Sequence, residues 1–165
     1  MRPSETTGRH ARTLFTDAKG FAGVRTGYQA RALSERPSDA PIRVLVVDDQ
    51  HLFADALAMF LGHEEGIEVV GTAASGQEAI DTALAQAADV VLMDLFMPRM
   101  DGLEATKRLR DARPETHVIV LSGLADDAVA EQARAAGADG YLQKGRVHER
   151  IVEAILAAKA GRPVP

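Results

Sequence analysis

From residue 42 onward, apolar positions follow two alternating patterns. Ile42-Arg43-Val44-Leu45-Val46-Val47, Val90-Val91-Leu92-Met93 and His117-Val118-Ile119-Val120-Leu121 are nearly unbroken apolar runs. Short runs of this kind predict strands covered on both faces. Ile67–Ala73 predicts a second, less apolar strand, and Gly140-Tyr141-Leu142-Gln143 a short fifth. Between the strands the apolar period becomes helical. Over His51–Leu61, two sets recur at helical spacing: Leu52, Ala56, Phe60 and Phe53, Leu57, Leu61. Gly62 is placed to end that helix. Ser75 with Glu78 has the spacing of a capping box, opening a helix to about Ala87 that buries Ala79, Ile80, Ala83 and Leu84. Leu103 and Leu109 mark a third helix that stops before Pro114. Asp126–Ala136 is alanine-rich and halted by Gly137; Val147–Ala160 turns Ile151 and Ile155 inward.

Strict strand–helix alternation predicts an α/β fold: a parallel sheet, helices on both faces, right-handed crossovers. Five strands fit the flavodoxin-like order 2-1-3-4-5. The switch point then lies between strands one and three, where the carboxyl ends of the strands open into a cleft.

Four of the five strands run into a reactive residue: Asp48-Asp49, Asp94, Ser122 and Lys144. Singly, each is explained as a cap, a turn residue or a solvated charge. Jointly, they gather three carboxylates, a hydroxyl and an ammonium at one end of the sheet. A carboxylate can act as a nucleophile and form an aspartyl phosphate. That step needs positioning and charge neutralisation, for which Mg²⁺ with one or two carboxylates is suited. Asp49 and Asp94 are the expected side-chain ligands, with Asp48 close by or acting through water. The Phe96 carbonyl supplies a further oxygen. Lys144 and Ser122 would meet phosphoryl oxygens.

Residues 42–160 resemble the receiver domain of two-component response regulators. The acidic pair Asp48-Asp49, the segment Asp94-x-x-Met97-Pro98-x-x-Asp101-Gly102, Ser122-Gly123 and Lys144 carry the likeness in order and spacing. The resemblance implies a CheY-like fold with Asp94 as phosphoacceptor. It implies a Mg²⁺ site of Asp48, Asp49, Asp94 and the Phe96 backbone carbonyl, a switch hydroxyl at Ser122 and a switch aromatic at Tyr141. It also implies a sensor histidine kinase or phosphotransfer protein as partner. Such a switch is no enzyme beyond its own phosphorylation and dephosphorylation. Asp48-Asp49-Gln50-His51-Leu52 further resembles receivers that precede a helix-turn-helix output domain. The alternative is therefore a transcription regulator whose DNA-binding part is truncated or supplied by a partner. His51 is read as a loop or first-turn residue, since the donor histidine of such relays belongs to the partner.

One departure stands beside the acceptor. The family commonly has a polar residue two places after it, and here that residue is Phe96, whose ring would obstruct an attacking water. The fourth helix, fifth strand and fifth helix form the expected switch surface and a possible homodimer face. Ala130, Ala133 and Ala136 make that helix smooth enough for a partner, or are simply good helix formers.

Composition narrows the classes. The chain has 165 residues, 46% hydrophobic and 26% charged, with no cysteine, so disulfides, a thiol nucleophile and Cys-ligated metals are excluded. No apolar run nears the ~20 residues that cross a bilayer, and residues 1–41 lack a secretory h-region; a cytoplasmic protein without a membrane partner is expected. Residues 1–40 hold seven Lys/Arg against four Asp/Glu, leaving the remainder at −8 of the net −5. An acidic domain does not hold nucleic acid by itself. Residues 1–41 are expected to be a weakly structured basic leader, and 161–165 a stub or linker start. A dehalogenase-like hydrolase would carry Asp-x-Asp after strand one, where this chain has Asp48-Asp49-Gln50. A flavin site would need a phosphate-cradling Ser/Thr-rich loop in that place.

Overall fold

Strands β1 (Ile42–Val47), β2 (Ile67–Ala73), β3 (Val90–Asp94), β4 (His117–Ser122) and β5 (Gly140–Gln143) alternate with five helices. These are α1 (His51–Leu61), α2 (Gly76–Ala85), α3 (Gly102–Ala112), α4 (Asp127–Ala135) and α5 (Val147–Lys159). A tight turn, Lys144–Arg146, joins β5 to α5. The structure is a computed structural model and describes residues 40–164. The leader expected over residues 1–41 falls, apart from Ala40 and Pro41, outside the described residues. Among the described residues all strand pairs are parallel, as the alternation predicts, and their order is the expected β2-β1-β3-β4-β5.

Strand side chains alternate between two apolar layers. Val44, Val46, Val90, Leu92, Ile119 and Leu121 pack under α1 and α5, against Leu57, Leu61, Ile151 and Ile155. Leu45, Val47, Val91, Met93, Val118 and Val120 pack under α2, α3 and α4, against Ile80, Ala83, Leu109 and Ala133. All five residues of β3 are buried, because it is the middle strand and is covered on both faces.

Three expectations about helix faces fail. On α1 only the set containing Leu57 and Leu61 faces the sheet; Leu52 is 85% exposed, and Ala56 and Phe60 are exposed too. Leu84, expected inside, is 42% exposed at the outer edge of α2. Ala130, Ala133 and Ala136 are buried rather than forming an outer face; the small side chains let α4 lie close on the sheet.

Local signals account for the helix ends. Ser75 Oγ accepts from Glu78 N–H (3.3 Å), while Glu78 Oε2 accepts from Ala74 N–H (2.9 Å), a capping arrangement shifted by one residue from the usual box. Asp101 caps α3 through Glu104 N–H (2.8 Å), and Gly137, at φ 96°, takes the left-handed conformation that ends the α4 turn.

At the amino ends of the strands, Asp139 accepts from Val118 N–H (2.8 Å) and faces His117 Nδ1 (3.2 Å) and Arg110 (3.7 Å). Burial alone would raise its pKa, but the hydrogen bonds and the charges of His117 and Arg110 hold it below the usual carboxylate range. Val164 packs onto Gly140, where a Cβ would come within 2.4 Å of its Cγ1.

Candidate functional site

The register of the sheet builds the site. Val47 pairs with Met93, so the next residues, Asp48 and Asp94, stand level at the carboxyl ends of adjacent strands. Ser122 pairs with Gln143, which sets Lys144 just beyond the end of β5. These ends lie where the strand order reverses, the usual ligand crevice of an open α/β sheet.

The chain after Asp94 turns back sharply. Leu95 N–H donates to Leu121 O (2.9 Å), and Gly102 N–H donates to Leu95 O (2.9 Å). A Cβ on Gly102 would lie 2.1 Å from the Asp94 carbonyl oxygen, so only glycine allows this approach. Met97 is buried beneath the loop, while Phe96 is 59% exposed beside the acid.

Lys144 Nζ lies 2.6 Å from Asp48 Oδ2 and 2.9 Å from Asp94 Oδ1. Both carboxylates are buried and the ammonium is nearly so. Asp48 Oδ1 accepts from Gln50 N–H (2.9 Å). Its Oδ2 is buried and makes no hydrogen bond of acceptable geometry, leaving the nearby ammonium to balance its charge. The carboxylates of Asp48, Asp49 and Asp94 bring oxygens within 4.8 Å of one another. Burial pushes the Asp94 carboxyl above its ordinary range; the neighbouring Asp48 charge adds to this, while the Lys144 hydrogen bond and charge and the Phe96 N–H offset part of it. Burial alone would lower Lys144, but the Asp48 and Asp94 carboxylates outweigh it and raise the ammonium's pKa.

Ser122 is buried at the end of β4, and its Oγ accepts from Leu124 N–H (3.1 Å). Tyr141, half-buried, donates its hydroxyl to Leu124 O (2.6 Å). The strand carrying the aromatic is thereby tied to the loop that follows Ser122.

A buried acid set and an ammonium at the switch point of this fold agree with a family comparison. Residues 44–156 match the family model of the response regulator receiver domain. The chain belongs to this family. Among curated relatives, the receiver is 41% identical over 122 residues to the transcriptional regulatory protein LiaR of Bacillus subtilis, covering 74% of this chain and 58% of that protein. It is 40% identical over 121 residues to the response regulator GacA of Pseudomonas aeruginosa, covering 73% and 56%. The chain thus spans somewhat over half the length of these relatives. Among solved structures, it superposes on the signal receiver domain of the putative response regulator NarL from Mycobacterium tuberculosis with a TM-score of 0.71. That match has 34% identity and covers 74% of this chain and 99% of the other.

The receiver brings Asp48, Asp49, Asp94 and Lys144 together as the strand ends predicted, and sets Ser122 and Tyr141 in the adjoining strands β4 and β5. Two contacts of the site escaped the sequence reading. Gly102 was legible as part of the receiver motif but not as a close approach, because that depends on the Asp94 backbone packing against it. Phe53 was legible only as an apolar helix position, yet its ring lies under Lys144, 4.9 Å from Nζ to the centroid. Among the described residues no helix is long and apolar enough to cross a membrane.

Proposed function

We propose that this receiver accepts a phosphoryl group on Asp94 from a sensor histidine kinase or phosphotransfer protein and signals by changing its protein contacts. The observation that carries the reading is the Asp48–Lys144–Asp94 cluster, buried at the switch point with Asp49 beside it. An Asp94 carboxylate oxygen attacks phosphorus: a P–O bond forms, the P–N bond to the donor imidazole breaks, and the electron pair leaves on that nitrogen. Lys144 exchanges part of its pairing with Asp94 for a phosphoryl oxygen. The donor set fits a hard divalent cation, because it is all oxygen and its three carboxylates bring oxygens within 4.8 Å of one another. Asp48, Asp49, Asp94 and the Phe96 carbonyl would hold Mg²⁺, which when bound neutralises charge on the phosphoryl oxygens.

The phosphoryl group adds about −1.5 to −2 charge and strong acceptors at Asp94. Ser122 turns its hydroxyl toward it, and its loop moves with Tyr141, which already bonds Leu124 O. The output is a shift between two packings of α4, β5 and α5. A groove of about 650 Å³ on that face, lined in part by Ala130, Arg134, Tyr141 and Arg150, is where a partner or a second copy would dock. In this reading the domain works in the cytoplasm, turns over no substrate but its own phosphoryl group, and leaves DNA contact to another part. Similarity to a transcriptional regulatory protein favours a second reading of the output: control of transcription through a helix-turn-helix part lying outside this sequence.

Transfer of radiolabel from an autophosphorylated histidine kinase tests the reading. Label on the wild type and none on Asp94→Asn is expected; equal labelling of both would remove Asp94 from its role.

A further inference from the structure

Lys144 hangs from a short turn beyond an edge strand, on a flexible four-carbon stem. Its ammonium is nevertheless held between Asp48 and Asp94, with the Phe53 ring on another side, 4.9 Å from Nζ to the centroid. The ring belongs to the same small unit as the acid pair. Asp48 Oδ1 accepts from Gln50 N–H, and Gln50 O accepts from Phe53 N–H, both at 2.9 Å. Phe53 also packs against the apolar layer of α1 and α5, which fixes where the ring stands.

We propose that Phe53 is a positioning residue for Lys144, its ring face steering the ammonium over the carboxylates and along the path to a phosphoryl oxygen. The inference rests on the phosphoacceptor role of Asp94. Its physical basis is the attraction of a cation to the ring quadrupole. A carboxylate in the ring's place would also attract the ammonium but would occupy its third N–H. The ring attracts the charge without offering a lone pair, so that N–H stays available for the incoming phosphoryl group. The attraction is also weakly directional, so Nζ can slide from Asp94 Oδ1 toward a new partner without losing it. A side chain that only filled space would be replaced equally well by leucine.

The test compares wild type, Phe53→Leu and Phe53→Tyr, each shown to be folded by its thermal melt. Two quantities are read: the ring-current shift of the Lys144 ε-methylene protons by NMR, and the initial rate of phosphorylation by acetyl phosphate with Mg²⁺. The wild type is expected to show upfield-shifted ε-protons. Phe53→Leu loses that shift and reacts roughly 3- to 10-fold more slowly, the range a partly buried cation–π contact commands, while Phe53→Tyr keeps the shift and reacts within about twofold of wild type. A Phe53→Leu protein that reacts at the wild-type rate overturns the proposal. So do unshifted ε-protons in the wild type, a measurement that needs no variant to fold. If the wild type takes no phosphoryl group from acetyl phosphate and none from a histidine kinase, the phosphoacceptor reading fails, and the proposal that rests on it falls with it even where the NMR shift is present.

Discussion

Asp94 and Lys144 sit 2.9 Å apart at the ends of strands that are not neighbours, and Asp48 closes the pair into a triad at 2.6 Å. The ammonium is what allows two buried carboxylates to stand side by side. Removing one partner of a buried ion pair leaves an uncompensated charge. Lys144→Ala is expected to cost up to about 3 kcal/mol at pH 7 without divalent cation, read as a lower midpoint in urea. Adding Asp94→Asn to it should restore part of the loss, a coupling that a double-mutant cycle measures.

Asp94 contributes to stability with the opposite sign. Its pKa in the folded chain is raised, first by burial, so the folded state binds its proton more tightly than the unfolded chain does. Stability from this group is therefore full below the unfolded pKa and is lost as pH rises through the raised folded value. Asp94→Asn, which carries no charge, should be more stable than wild type by about 0.5–2 kcal/mol at pH 7, as is common when functional strain is relieved. The gain should shrink as pH falls through the Asp94 titration. Thermal melts of both proteins across pH 4–7 check the sign.

Gly102 is the tightest point of the acceptor loop. A methyl group there would press on the Asp94 carbonyl oxygen, backbone against side chain with no flexible end to yield. Gly102→Ala should destabilise by roughly 3–4 kcal/mol, at the upper end of single-residue effects. Gly123→Ala makes the control, because a Cβ there meets nothing within 4 Å.

Phe96 is exposed beside the acid while its N–H serves Asp94. A ring at this place would hinder a water approaching the acyl phosphate. Phe96→Asn should shorten the lifetime of the phosphorylated form roughly three- to tenfold, the effect of up to ~1.4 kcal/mol in the barrier. An unchanged half-life, followed by intact mass over time, would contradict this.

Particular residues show what could be read from the chain alone. Val90–Met93 and the apolar runs on either side were legible because a strand covered on both faces has no polar period to confuse it. Alternation and handedness fixed a parallel sheet; the strand order came from the flavodoxin-like arrangement that five such units fit, and a parallel sheet brings Asp48, Asp94 and Lys144 to one edge. The inner face of α1 was not legible: Leu52, Ala56 and Phe60 have the same spacing as Phe53, Leu57 and Leu61, and only the docked helix separates them. The α4 alanines misled for a related reason, since small residues suit both a smooth surface and a close approach to the sheet. The Phe53–Lys144 contact joins α1 to the end of β5, and no local pattern encodes a pairing so distant in sequence.

The central claim is that Asp94 takes a phosphoryl group. Intact-protein mass after treatment with acetyl phosphate and Mg²⁺ tests it most directly, on the wild type and on Asp94→Asn. One added phosphoryl group on the wild type, removed by hydroxylamine and missing from the variant, is the predicted result. An adduct of the same mass on Asp94→Asn, or none on a wild type that is also left unlabelled by a histidine kinase, would contradict it.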